Sequence, residues 1–114
     1  MISYFDVIYT KGSNNLKGSI PSEIGALKSL QFLLLDKNKI VGSIPSTIGN
    51  LSKLKKIDLD YNRLTGKIPK SFENLSNLST LAVRENLISG AMPLSSFRTL
   101  LASKNLEKLF LHRN

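Results

Sequence analysis

Side chains that could support catalysis are few in this chain of 114 residues. His112 is the only histidine and stands near the end of the chain, so a Ser-His-Asp arrangement would need partners held at the edge of the fold. Cysteine is absent, which excludes disulfides, thiolate metal sites and cysteine nucleophiles together. We therefore expect no catalytic residue, no metal site and no cofactor.

Asp58 and Asp60 are the carboxylates closest to each other in the sequence. On a strand they would share one face at a distance of about 7 Å, a spacing that acid and base pairs of glycosidases approach. Lys56, Tyr61 and Arg84 fall on the same predicted face, which favours a solvated charge cluster. The sequence therefore predicts a protein that is not an enzyme.

Charge and hydropathy argue against two further classes of protein, those that bind specific nucleic acids and those that span a membrane. Sixteen Lys and Arg against eight Asp and Glu give a net charge of +8, which favours acidic partners. The basic residues are scattered from Lys11 to Arg113, so they do not form the stripe that specific nucleic-acid binding requires. The longest interior apolar run covers residues 32–35, far short of the roughly 20 residues that cross a bilayer. We expect neither specific nucleic-acid binding nor a membrane span.

An internal repeat organises the chain. Its four prolines stand 24 residues apart, at Pro21, Pro45, Pro69 and Pro93. Other residue types keep the same spacing: Gly18, Gly42, Gly66 and Gly90; Asn14, Asn38, Asn62 and Asn86; Leu16, Ile40, Leu64 and Ile88. A period of this length indicates stacked coils, each of which buries its apolar edge only against its neighbours.

One period contains signals for two kinds of structure. Ile57 and Leu59 alternate with polar residues, which predicts a strand over residues 56–60. Gly66 and Pro69 then break regular structure, and the apolar spacing after them favours a loose helical or 3₁₀ turn. Each unit is therefore predicted to be one coil with a strand on one side and an irregular return on the other.

The two ends depart from the period. The motif beginning at Leu106 lies 28 residues after the one at Leu78, so the last unit is four residues longer, and Ser96 is predicted to cap a helix in the added segment. At the other end, Asp6, Tyr9 and Lys11 occupy the three positions that are apolar in the other units. We predict an irregular segment or partial cap over residues 1–13 and a solenoid of about four repeats over residues 14–114.

Residues 30–45 read Leu-x-x-Leu-x-Leu-x-x-Asn-x-Ile-x-Gly-x-Ile-Pro, and residues 54–69 repeat this pattern with Ile and Leu exchanged at two positions. These stretches resemble leucine-rich repeats. The Gly-x-Ile-Pro segment is similar to that of the plant-type subclass found in receptor-like kinases and polygalacturonase-inhibiting proteins. The resemblance implies an α/β fold, a right-handed solenoid with short parallel strands on the concave face and a 3₁₀ or irregular convex side.

The repeated asparagines are predicted to be structural. At a corner after each strand, a buried amide can bond backbone groups of its own coil and of the neighbouring coil. We assign this role to Asn38, Asn62 and Asn86.

Function is expected on the strand residues that alternate away from the core, because these align in columns across the coils. Aromatic side chains with nearby charges are typical of interaction surfaces. The predicted ligand-binding residues are Phe32, Leu34, Asp36, Lys56, Asp58, Asp60, Tyr61, Arg84, Glu85, Lys108, Phe110 and His112.

The leading interpretation is a non-catalytic module that binds a protein or peptide ligand through the concave sheet. The resemblance implies an extracellular or cell-surface protein with a receptor-like or defence-related role. A polygalacturonase-inhibitor-like enzyme inhibitor is one alternative. An ice-binding or structural repeat protein is another, although its flat face should carry regular columns, whereas Lys17, Val41, Thr65 and Ser89 are irregular.

Three Asn-x-Ser sequons begin at Asn50, Asn74 and Asn77 and weakly favour export. The chain has no cysteine for the disulfide-bonded caps that the resemblance implies, its first residues make a poor secretory signal, and it stops at the corner residue Asn114. We therefore expect a fragment, a truncated chain, or self-association through open solenoid ends.

Overall fold

The computed structural model describes residues 2–4, 7–9, 15–90, 92–102 and 105–114. The strands in these ranges are β1 (Ile2–Tyr4), β2 (Val7–Tyr9), β3 (Phe32–Leu34), β4 (Val41–Ser43), β5 (Lys56–Asp58), β6 (Arg63–Thr65), β7 (Thr80–Ala82) and β8 (Lys108–Phe110). Short 3₁₀ helices span Ser22–Ala26, Ser46–Asn50 and Lys70–Asn74, and the α-helix α1 spans Leu94–Ala102. Each helix is therefore preceded by one or two short strands.

The strands that precede the corners form one sheet in the order β1-β2-β3-β5-β7-β8. β1 and β2 pair antiparallel, and every later pair in this sheet is parallel. The register places Leu33 beside Ile57 and Ile57 beside Leu81, and all three side chains have an exposed fraction of 0%. The predicted solenoid of stacked 24-residue coils is confirmed.

The N-terminal strand is shifted by one residue from the 24-residue register. β2 pairs Ile8 with Leu33, and Ile8 is buried. The expectation that Tyr9 takes this apolar position is therefore wrong, while Asp6 and Lys11 lie outside the described residues. Because side chains alternate along a strand, a shift of one residue changes which side chain faces the core. The division of the chain between residues 13 and 14 stays a prediction.

The strand of each coil is shorter than predicted. β5 ends at Asp58 rather than at Asp60, because the chain turns sharply at Tyr61, where φ is 56°. The equivalent corner residues have the same left-handed conformation, with φ of 55° at Lys37, 53° at Glu85 and 58° at Arg113. This conformation is uncommon for residues other than glycine. Its recurrence with four different side chains indicates that stacking imposes the corner geometry.

A second, two-stranded sheet follows the corners, where β4 and β6 pair in parallel. The 24-residue pattern does not predict this second sheet. Gly42 stands in the middle of β4 and Gly66 directly follows β6, and glycine is depleted in strands. The pairing of these strands comes from stacking rather than from local preference.

Helices on the convex side begin immediately after a proline. These prolines are Pro21, Pro45, Pro69 and Pro93. Because α1 begins at Leu94, the prediction that Ser96 caps the added helix is wrong. Ser96 lies inside α1, is fully buried, and donates a hydrogen bond to the Lys70 carbonyl at 2.8 Å. No helix in the described ranges is both long and apolar enough to cross a bilayer.

Candidate functional site

The concave surface comprises the outward side chains of β3, β5, β7 and β8 and the residues that follow these strands up to the corner. Cα pairing gives one column of Phe32, Lys56, Thr80 and Lys108 and a second of Leu34, Asp58, Ala82 and Phe110. Backbone hydrogen bonds from Lys37 to Asp60 and from Tyr61 to Arg84 continue the parallel register past the strands. They add a third column of Asp36, Asp60, Arg84 and His112.

Apolar side chains lie at the two opposite edges of this surface, on β3 and on β8. Phe32 and Leu34 are half-buried on β3, and Phe110 is half-buried on β8. Val7 pairs with Phe32 and extends the apolar area onto β2. Sequence reasoning missed Val7 because the one-residue shift removes it from the 24-residue spacing. Ala82, between the two apolar areas, is only 3% exposed and offers little contact surface.

Asp60 is buried near the middle of the concave surface, with an exposed fraction of 3%. Its carboxylate accepts hydrogen bonds from the Arg84 backbone N–H at 2.7 Å and from Arg84 Nε at 2.6 Å. Arg84 Nη2 contacts the same carboxylate at 2.5 Å. The expectation of a solvated charge cluster is therefore wrong for Asp60. Stacking places it one coil before Arg84, where backbone and side-chain donors converge on it and exclude water.

Arg84 is held from two directions. The hydrogen bond with Asp60 raises the pKa of the Arg84 guanidinium, and the Arg84 Cζ atom lies 4.7 Å from the centre of the Phe110 ring. That distance is within the roughly 6 Å range of cation–π contacts. The side chain keeps 31% of its surface exposed. The surface therefore presents a fixed hydrogen-bond donor beside an aromatic ring.

Asp58 forms an acidic area between the apolar and cationic parts. Burial raises its pKa, and the negative charges of Asp36 and Asp60 raise it further. A bond from the Asp60 backbone N–H, at 3.4 Å, and an ion pair with Lys56 Nζ, at 3.5 Å, offset part of this rise. An incompletely compensated carboxylate of this kind is suited to a positively charged or hydrogen-donating partner.

The rim of the surface is more open. Tyr61 is 48% exposed, and Glu85 forms an ion pair with Arg113 at 3.0 Å. Lys108 and His112 are exposed, so His112 lacks the enclosed environment in which a catalytic base is usually tuned. Across the described ranges, no group of three or more His, Asp or Glu side chains is placed to hold a metal ion.

Buried asparagines occupy three successive corners, with exposed fractions of 8% at Asn38, 8% at Asn62 and 5% at Asn86. Asn62 Nδ2 donates to the Leu59 carbonyl of its own coil at 3.1 Å and to the Leu35 carbonyl of the preceding coil at 2.9 Å. Its Oδ1 accepts the Ile40 N–H at 3.1 Å. These bonds join two coils next to the concave surface. Asn14, the corresponding residue of the first coil, lies outside the described residues.

Hydroxyl groups join the convex sides of the coils, a feature that the sequence analysis missed. Thr47 Oγ1 donates to the Ser22 carbonyl at 2.7 Å, and Ser71 Oγ donates to the Ser46 carbonyl at 2.6 Å. Neighbouring coils approach closely here, since a Cβ added at Gly49 would lie 2.5 Å from the Ser71 carbonyl oxygen. The available signal was that Thr47 and Ser71 stand 24 residues apart. Two hydroxyl residues at one repeat position can also occur by chance, so the spacing alone did not predict the bonds.

Comparison with known proteins agrees with this architecture. The leucine rich repeat family model matches residues 33–88. No curated protein sequence matches the chain significantly. A TDR receptor structure is 34% identical, with a TM-score of 0.84, and the match covers 96% of this chain and 18% of the receptor chain. The PEPR1–AtPEP1 structure is 38% identical, with a TM-score of 0.81, and the match covers 92% of this chain and 14% of that one.

A third similar structure is the leucine-rich repeat ectodomain of the plant membrane receptor kinase GASSHO1/SCHENGEN3 from Arabidopsis thaliana, in complex with CASPARIAN STRIP INTEGRITY FACTOR 2. It is 37% identical, with a TM-score of 0.81, and the match covers 90% of this chain and 12% of that one. The chain thus spans 12–18% of the length of these three receptor chains. Motif, coil geometry and similarity agree, and the chain belongs to the plant-type leucine-rich repeat family.

Proposed function

We propose that this chain is a non-catalytic recognition module that binds a protein or peptide through its concave surface. The observation that carries the proposal is the set of apolar side chains Phe32, Leu34 and Phe110 on that surface, where a merely solvated sheet would carry polar ones. Two similar structures support it: PEPR1–AtPEP1, and the GASSHO1/SCHENGEN3 ectodomain in complex with CASPARIAN STRIP INTEGRITY FACTOR 2. By the same similarity, we propose an extracellular location within a receptor-like or defence-related protein.

The dimensions of the surface suit an extended segment of a ligand. Neighbouring strands lie about 4.8 Å apart, so the three steps from β3 to β8 span roughly 14 Å, the length of about four extended residues. Such a segment would pass from Phe32 and Leu34, over Asp58, to Arg84 and Phe110. Because Asp60 and Phe110 already hold Arg84 in place, little side-chain freedom would be lost there on binding.

The two alternatives gain no support from the similar structures. An ice-binding face needs regular Thr or Asn columns, and Lys17, Val41, Thr65 and Ser89 do not form one. The second candidate column consists of Ser19, Ser43, Lys67 and Ala91, of which Ala91 lies outside the described residues. An inhibitor of an enzyme would also use a recognition surface, but no observation favours an enzyme over another protein partner.

Selection from a random displayed-peptide library tests the proposal. The purified chain should enrich peptides whose affinity falls at least about tenfold, or roughly 1.4 kcal/mol, when Phe32 is replaced by Ala. Leu87→Ala is the matched control, because Leu87 is 63% exposed and lies past the corner, away from the concave surface. Failure to enrich any peptide, or equal losses in both variants, would contradict binding through the concave sheet.

A further inference from the structure

The three sequons differ in their surroundings. Asn50 is the last residue of one 3₁₀ helix and Asn74 the last residue of the next. Both asparagines are exposed, and so are the sequon serines Ser52 and Ser76. These two sequons therefore present both of their polar side chains to solvent on the convex side.

The third sequon uses its polar side chains to join coils. Asn77 Nδ2 donates to the Ser52 carbonyl at 2.8 Å, and Ser79 Oγ donates to the Lys55 carbonyl at 2.9 Å. Asn77 also lines a cleft of about 310 Å³ with Gln31, Lys53 and Lys55. Asn77 is itself exposed, so the bond to the preceding coil, not burial, sets it apart. A sugar on Asn77 Nδ2 would crowd that bond and the cleft beside it.

The same bridge recurs one coil later without a sequon. Asn105 Nδ2 donates to the Ser76 carbonyl at 2.8 Å, and the sequence there is Asn105-Leu106-Glu107. An amide thus joins coils at this position in two successive repeats, whereas Lys53 occupies the equivalent position one repeat before Asn77. The Asn-x-Ser pattern at Asn77 arises because two residues that join coils stand two positions apart. Asn77 bonds the Ser52 carbonyl, and Ser79 bonds the Lys55 carbonyl.

We propose that Asn50 and Asn74 carry N-linked glycans and that Asn77 does not. The inference rests on the proposed extracellular location. The donor is an oligosaccharide on a lipid diphosphate. The amide Nδ2 forms the bond to the first sugar carbon as the bond from that carbon to the diphosphate breaks, and the amide loses one proton. Glycans at these positions would cover the convex side and leave the concave surface open to a ligand.

The test is to secrete the whole chain from cultured eukaryotic cells behind an added signal peptide and to measure occupancy by glycosidase treatment and peptide mass spectrometry. We expect occupancy at Asn50 and Asn74, with one glycan lost in each of Asn50→Gln and Asn74→Gln and no change in Asn77→Gln. Ser52→Ala and Ser76→Ala are matched controls, because they remove a sequon without changing its asparagine. Unmodified Asn50 and Asn74 in secreted chain would overturn the proposal, and so would occupied Asn77.

The Asn74→Gln variant also distinguishes two explanations for an unmodified Asn77: its bond between coils, and crowding by a glycan on Asn74, which stands only three residues earlier. Asn77 should stay unmodified in it. Occupancy of Asn77 in that variant would overturn the explanation from the bridge between coils. If Asn50→Gln or Asn74→Gln is not secreted, Ser52→Ala or Ser76→Ala, which removes the same sequon, supplies the site count. Occupancy is read without any ligand, so failure of peptide binding through the concave surface would leave these results unchanged.

Discussion

The two faces of the concave strands follow different rules. On the inward face, Leu33, Ile57 and Leu81 are all aliphatic and fully buried. On the outward face of the middle strand β5, the neighbours of Ile57 are Lys56 and Asp58, and both are half-buried and charged. Each coil must stack on the next through the inward face, which restricts its chemistry, whereas the outward face is free to vary. A solenoid can therefore change its recognition surface while it keeps its fold.

Asp60 is an exception to this difference between the inward and outward faces. Its position belongs to a concave column, yet its exposed fraction of 3% matches the interior. Arg84 supplies the donors that compensate the carboxylate, as a buried charge requires. Outward position thus allows variation only where the neighbouring coil leaves the side chain in contact with water.

The largest expected difference lies between adjacent residues of β5. Ile57→Ala should lower the free energy of unfolding by roughly 2–5 kcal/mol, because it opens a cavity between two coils. Lys56→Ala should change it by no more than about 0.5 kcal/mol, since Lys56 is half-exposed and holds only a 3.5 Å ion pair. Urea unfolding of both variants measures the contrast. Similar losses in the two would show that both faces of the strand contribute equally to stability.

A smaller difference is expected at the corners. Asn62→Ala should cost about 1–3 kcal/mol, because the Ile40 N–H would lose its partner while buried. The Leu35 carbonyl would lose one of two donors and keep the bond from Asn38 Nδ2. Asn114→Ala is the matched control. Asn114 is exposed, and its bond from the Ile88 N–H is long at 3.4 Å. Its Nδ2 also donates to the Leu111 carbonyl at 2.8 Å and to the Val83 carbonyl at 3.0 Å. Because water can replace bonds to an exposed side chain, we expect a loss below about 1 kcal/mol. Thermal or urea unfolding decides, and an unchanged Asn62→Ala variant would contradict the structural role of the corner amides.

The smallest effect, and one of opposite sign, is expected for Asp58→Asn. Folding raises the pKa of Asp58 above 3.8, chiefly by burial, so the folded chain binds the proton more tightly than the unfolded chain does. The contribution of Asp58 to stability is therefore greatest below pH 3.8 and falls as the pH rises through the folded-state pKa. In Asp58→Asn the side chain does not ionise, so this loss of stability with rising pH does not occur.

Urea unfolding of wild type and Asp58→Asn between about pH 3 and pH 8 measures this effect. Asp58→Asn should be slightly more stable at neutral pH, and its advantage should disappear at the acid end. A wild type that is the more stable protein at neutral pH would indicate that the ion pair with Lys56 outweighs the burial of Asp58.

Periodicity carried the prediction of the fold a long way, because residues such as Leu33, Ile57 and Leu81 repeat at one spacing and only stacking can bury them together. It predicted the columns of the concave surface for the same reason. It did not predict Val7 or Ile8, because β2 is shifted by one residue and the local sequence contains no sign of that shift. It also missed the sheet of β4 and β6, where Gly42 hides the strand signal.

The amino-acid sequence by itself determined the coil, its length and the sets of residues that stack, since each follows from the identity and spacing of side chains within one chain. The tertiary structure alone decided that Asp60 is buried against Arg84 rather than solvated. It also decided that Asn77, although exposed like Asn50 and Asn74, bonds the preceding coil. Burial and hydrogen-bond partners depend on atoms that a neighbouring coil contributes, and those atoms are some 24 residues away in the sequence.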